Sequence, residues 1–336
     1  ALREVGTKLR LDIAGGPHGL ITAEVVLPGG SYERVGAFDK ADGEPTSNSD
    51  DLLQLGNWLF ASVENSIAIY DPNAASPLAS VVNVPEGAAG VLMSGFEAAA
   101  GFPTNLFTSS LSEGAVFFEV VTGGSPPVTL VNNGVLNTGG RSYANFALGP
   151  NDTPDGYPWL VVVNSLDGAS IPPGLEEPIN SGIRIYRLAM SAGHVTARAA
   201  VELGVWAPRA DVFATGAFFS CHAQPASGNN VAIWVSYGPR DNGGGISEPN
   251  AGLLALKATY NPTTQQVGFT LLGKAPAVTN ASGDPVGRVT WLPAVSRVVV
   301  ALGCNGLATY SVSGVTNLPT LGTTWAGSSQ DPASVL

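Results

Sequence analysis

Little in this sequence carries charge: Asp, Glu, Lys and Arg together make up 12% of the 336 residues, about half the share near 25% that is usual for globular domains. Exposed faces must therefore be built largely from Ser, Thr, Asn, Gly and Ala. Positive charge is scarcest, with 15 Lys and Arg against 26 Asp and Glu, a net charge of −11 and a pI near 4.6. Nucleic-acid binding needs clustered cations that displace counterions, so it is excluded as a function class. Four of the basic residues are Lys (Lys8, Lys40, Lys257, Lys274), which leaves guanidinium as the main cation. Histidine occurs three times and cysteine twice. Neither Cys221 nor Cys304 has a CxxC or Cys/His neighbour, so a zinc site is not expected. Apolar runs such as 159–163 and 298–302 have strand length, far short of the roughly 20 residues that a membrane-spanning helix needs.

Turn-forming residues are abundant instead. The chain holds 42 Gly and 25 Pro, and 44% of it is hydrophobic. That punctuation is incompatible with long helices and ample for an all-β core. The numbering begins at Ala1 without Met or an apolar leader, which fits a mature secreted chain or simple Met excision. Asn151-Asp-Thr153 and Asn280-Ala-Ser282 are glycosylation sequons. With the weakly charged surface they lead to the expectation of an extracellular (secreted) or virion/particle-associated protein.

Six segments share a small or polar pair followed by alternating apolar residues. They begin at His18, Asn65, Glu113, Ser181, Ala251 and Asn305, as in Ser181-Gly-Ile-Arg-Ile-Tyr186 and Asn305-Gly-Leu-Ala-Thr-Tyr310. The second position is Gly in every case except Ser66. Anchors at 19, 66, 114, 182, 252 and 306 are spaced by 47, 48, 68, 70 and 54 residues, at or above the 40–50 of a four-stranded propeller blade. The clearest unit reads as strands at 51–55, 58–63, 67–70 and 78–84, and the last unit repeats it at 289–292, 297–302, 307–312 and 318–325. The expected fold is a single all-β domain, 1–336, forming a β-propeller of about six four-stranded blades. Their approximate limits are 1–40 plus 328–336, 41–87, 88–137, 138–204, 205–276 and 277–327. The first unit reads as lacking its inner strand, and Asp331-Pro-Ala-Ser-Val-Leu336 is placed to supply it, closing the ring with N- and C-terminal strands in one blade.

The run Trp58-Leu-Phe-Ala-Ser-Val-Glu-Asn-Ser-Ile-Ala-Ile-Tyr-Asp-Pro72, with Leu78-Ala-Ser-Val-Val-Asn-Val84 after it, resembles a blade of the YVTN and LVIVD repeat propellers, the group that includes the lactonase-type enzymes. The resemblance recurs through most of the chain and implies the fold. Lactonase-type relatives usually have seven blades, so it also implies room for a seventh.

Loops joining second to third strands, and fourth strands to the next blade, share one face of a propeller. The longest, 165–180 and 238–250, both fall there and carry Glu176, Glu177 and Glu248. Long loops on a rigid scaffold commonly bind. Arg141, Arg209 and Arg288 each precede an inner strand and converge on the axial mouth of that face. Two readings stay open: an electropositive funnel for a carboxylate or other oxyanion, or neutralisation by Asp50, Asp51, Asp211 and Asp284 in the same frame. His18 falls on this face at a turn, whereas His194 and His222 read as turns on the opposite face, which disfavours a triad or multi-histidine site. The stretch 151–156 resembles a calcium loop in composition only. Tryptophans 58, 159, 206, 234, 291 and 325 read as packing between blades. Cys221 and Cys304 fall toward opposite faces and read as free, buried thiols.

Function divides into two classes. The first is a non-catalytic propeller that binds a protein partner or self-assembles. The second is a lactonase-type or carbohydrate-active hydrolase or lyase acting on a small anionic ligand at the axial pocket. No cofactor or metal is expected in either.

Overall fold

In the computed structural model, the described residues are 2–5, 8–14, 20–26, 31–38, 49–63, 66–72, 74, 78–84, 93–110, 114–138, 142–164, 182–191, 194–207, 217–238, 250–279, 281, 288–302 and 306–325, with side chains described from residue 51 on except at 63, 110, 143, 191, 198, 217 and 325. Twenty-four strands pair antiparallel into four-stranded sheets, each formed by consecutive strands in chain order. The first is β1 (Leu2–Val5), β2 (Lys8–Ala14), β3 (Leu20–Val26) and β4 (Ser31–Phe38). The second is β5 (Ser49–Leu55), β6 (Trp58–Val63), β7 (Ser66–Tyr70) and β8 (Leu78–Asn83). The third is β9 (Met93–Phe96), β10 (Asn105–Ser110), β11 (Gly114–Thr122) and β12 (Val128–Asn137). The fourth is β13 (Ser142–Leu148), β14 (Trp159–Asn164), β15 (Gly182–Ser191) and β16 (His194–Trp206). The fifth is β17 (Ala217–Pro225), β18 (Asn230–Gly238), β19 (Asn250–Asn261) and β20 (Gln266–Thr279). The last is β21 (Val289–Leu292), β22 (Arg297–Ala301), β23 (Leu307–Ser311) and β24 (Thr320–Trp325).

From β5 onward the first strands of successive sheets touch one another, as do the fourth strands, so the sheets stand side by side as blades of a β-propeller. Each interface has its own core. Phe60, Ile67 and Ile69 meet Leu106, Val116 and Phe118 between the second and third sheets. Phe107 and Phe117 meet Leu160, Val162 and Leu188 between the third and fourth. The fourth and fifth join through Val161, Val163, Ile233 and Leu254, and the fifth and last through Trp234, Leu253, Val298 and Tyr310. A middle blade is covered on both faces, and β14 is buried from end to end, with Trp159, Val161 and Val163 serving one neighbour and Leu160 and Val162 the other.

Two expectations are corrected. Five blades are built with described side-chain packing, rather than the expected six or seven; the first sheet is described in backbone alone and touches β5 through β2. That sheet also does not lack its first strand, because Leu2–Val5 turns back and pairs with β2, Leu2 opposite Leu11 and Val5 opposite Lys8. It is thus complete from the N-terminal segment, and the tail at 326–336 lies outside the described residues.

In the third and fourth sheets the repeated glycine opens the third strand of its blade. At Gly114 and Gly182 φ is +123° and +135°, and a Cβ would lie 2.1 Å from the carbonyl oxygen of Leu136 and Trp206 respectively, both in fourth strands. Close approach of the outer strand, together with left-handed backbone, therefore fixes the residue. At Ser66, the one exception, the side-chain hydroxyl donates to Asn83 Oδ1 at 2.9 Å in the adjoining outer strand.

Candidate functional site at the axis

The starts of the inner strands gather at one end of the axis, and a polar layer forms there. Arg288, one residue before β21, spans from the last blade to the second and third. Its Nε donates to Asp51 Oδ1 at 2.6 Å, and its Nη2 donates to Asp51 Oδ2 at 2.5 Å and to the Met93 carbonyl at 2.6 Å. The Met93 backbone N–H donates to Asp51 Oδ2 at 2.6 Å, which closes the circuit. This is a two-pronged guanidinium–carboxylate pair, the geometry in which Arg is most effective. The Asp51 side chain is 4% exposed and that of Arg288 23%. Burial opposes the Arg288 charge, but the adjacent Asp51 carboxylate outweighs it and raises the guanidinium pKa above its usual value.

The layer continues round the axis. Ser94 Oγ donates to Asn145 Oδ1, and Asn145 Nδ2 donates to Ser109 Oγ at 2.8 Å, joining the third and fourth blades. The Val289 N–H donates to Ser220 Oγ at 3.2 Å, joining the last and fifth. Ser62, opposite Asp51 in the ladder, is buried with no hydrogen-bond partner for its hydroxyl among the described residues.

Of the residues singled out in the sequence, this layer brings together Arg288 and Asp51, in the mutually neutralising arrangement. Asp50 is described in backbone only. Arg141, Arg209, His18, Glu176, Glu177, Glu248, Asp211 and Asp284 lie outside the described residues, as do Cys304 and both long loops. Cys221 is a free, buried thiol on β17, and burial pushes its pKa well up. His222 is a correction: it sits within β17 opposite Trp234 rather than in a turn. Burial, and then the Arg288 charge, lower its pKa to about 4 against a hydrogen bond with Gln224. It is uncharged at neutral pH. His194 opens β16 and pairs through Nδ1 with Glu119 Oε2 of the neighbouring blade.

The 151–156 loop uses its acid structurally. Asp155 Oδ1 accepts the Trp159 indole N–H at 2.9 Å and the Tyr157 backbone N–H at 3.2 Å, while Oδ2 faces Arg187 Nη1 at 3.8 Å. Among the described residues no group of three His, Cys, Asp or Glu is placed to hold a metal ion, and no helix is long and apolar enough to cross a membrane. Sequence reasoning missed Ser94, Asn145 and Ser220. Each is a small polar residue within the first four positions of its inner strand.

No protein-family model matches the chain, and no curated protein matches it. Solved structures do. A chain from Bacteroides uniformis assigned as a 6-phosphogluconolactonase aligns with a TM-score of 0.54 at 10% identity, over 94% of this chain and 80% of that one. The periplasmic gluconolactonase of Pseudomonas aeruginosa aligns at 0.46 and 12% identity, over 95% and 96%. The Pan2 WD40 domain of Neurospora crassa aligns at 0.48 and 9%, over 96% and 76%. The resemblance to lactonase-type propellers is thus one of fold.

Proposed function

We propose that this propeller is a non-catalytic binding module, secreted or particle-associated, that engages a protein partner or a second copy of itself through the long segments at 165–180 and 238–250. The observation that supports this reading is the state of Arg288: both Asp51 oxygens and a backbone carbonyl already hold it. An anion arriving at the mouth would have to displace a buried carboxylate from its own hydrogen bonds. Recognition is then left to the segments that join β14 to β15 and β18 to β19, whose flanking strand ends pair at the starts of the inner strands.

A second reading, a lactonase-type hydrolase, draws support from the fold and from His222, an uncharged imidazole that feels the Arg288 charge. One pair of measurements separates the two. Base consumption by the protein on gluconolactone and 6-phosphogluconolactone is expected to match the uncatalysed rate, and turnover above it would overturn the first reading. Sedimentation equilibrium is expected to give a concentration-dependent mass that is lost when 171–178 is replaced by Gly-Ser. A constant monomer mass would leave a heterologous protein as the remaining partner class.

A further inference from the structure

Below the polar layer the axis changes character. His222 lies two residues beyond Ser220 on β17, Phe146 one beyond Asn145 on β13, and Trp291 two beyond Val289 on β21. At about 3.3 Å per strand residue, they sit roughly 3–7 Å deeper. All three are on innermost strands, and all three are partly exposed. With Trp234 they form one continuous run of rings across three consecutive blades. Phe146 and His222 centroids are 4.3 Å apart, those of His222 and Trp234 are 6.0 Å apart and near-parallel at 21°, and those of Trp234 and Trp291 are 5.2 Å apart. The Trp234 indole N–H is fully buried and has no hydrogen-bond acceptor among the described residues. Such a donor is rarely left unsatisfied in a native fold.

We infer that this aromatic wall is a binding site for an uncharged small molecule with a flat apolar face and oxygen acceptors at its edge, reached from the end of the axis opposite the Arg288–Asp51 pair. The partly exposed rings of Phe146, His222 and Trp291, backed by the buried Trp234, favour an apolar ring face. The neutral imidazole of His222 offers a hydrogen bond to a hydroxyl or carbonyl oxygen. Arg288, whose charge reaches His222, disfavours a cation, the same effect that lowers the His222 pKa. Asp51 and Met93 already satisfy Arg288, so it does not call for an anion. At the opposite end Leu292, the last residue of β21 and the neighbour of Trp291, is 41% exposed. This site is independent of the partner reading above, because it uses the other end of the axis and none of the long loops.

Two probes carry the chemistry from different sources: methyl β-D-glucopyranoside, a hydroxylated ring, and benzyl alcohol, an aromatic one. Saturation-transfer NMR and calorimetric titration on the intact chain are expected to show saturable binding of at least one, and the one that binds identifies the ring type. Trp291→Ala and His222→Gln are each expected to weaken it by about tenfold. Val81→Ser, on the exposed outer strand β8, should leave it unchanged. Should Trp291→Ala fail to fold by circular dichroism, His222→Gln carries the test alone. Absence of saturable binding for both probes, or equal binding by the folded variants, would overturn the site.

Discussion

A histidine within an inner strand, ringed by Phe146 and Trp234 and facing the charge of Arg288, has consequences for acid stability that can be worked out from its own titration. The folded-state pKa is about 4 and the ordinary value 6.5. The unfolded chain therefore takes up the proton more readily, and stability falls as protons are added. The His222 contribution is complete above pH 6.5 and is lost progressively as the pH drops to about 4. Each pH unit in that window is worth about 1.4 kcal/mol, so the full loss is about 3 kcal/mol. Urea unfolding between pH 7 and pH 4 is expected to show this slope in the wild type and a much flatter one in His222→Gln. Equal slopes would assign the acid sensitivity to carboxylates.

Strand by strand, the architecture rests on glycines whose role is steric. Gly182 holds φ at +135°, and a Cβ there would meet the Trp206 carbonyl oxygen at 2.1 Å. Gly182→Ala is therefore expected to destabilise the fold by about 1–3 kcal/mol from backbone strain, with steric displacement of β16 adding to it. Chemical denaturation checks this, with Gly156→Ala as the comparison: its φ is +73° but nothing lies within 4 Å of the added carbon, so strain acts alone. The same glycines explain why the blades were legible in the sequence. A forced residue followed by period-two apolar positions recurs wherever a third strand starts, and the expected limits 58–63 and 289–292 coincide with β6 and β21. The inner strand of the first sheet escaped because Leu2–Val5 is short and carries Arg3 and Glu4 between its apolar ends. His222 escaped because the turn after β17 begins only beyond Pro225, later than its flanking residues suggested. Neutralisation of the arginines by nearby aspartates was one of the two readings open in the sequence, but the particular Arg288–Asp51 bond was not legible, since 237 residues separate the two and only the arrangement of the blades brings them together.

That separation gives the pair its weight at the scale of the whole molecule. Neighbouring blades are held by apolar interfaces such as the Trp234–Tyr310 cluster, whereas Arg288 reaches past its neighbours to the second and third blades. Removing one partner of a largely buried pair leaves the other charge uncompensated, a cost of about 3 kcal/mol. Part of this is relieved by solvent, because the Arg288 side chain is 23% exposed. The loss falls where the last blade is anchored. In Arg288→Met, amide hydrogen exchange is expected to quicken about tenfold or more in β21, β22 and β23, with little change in β14, whose buried residues pack on the third and fifth blades. Uniform quickening across all blades would mean that the ring opens only as a unit. In that case the contact across the axis adds to global stability without securing the last blade in particular.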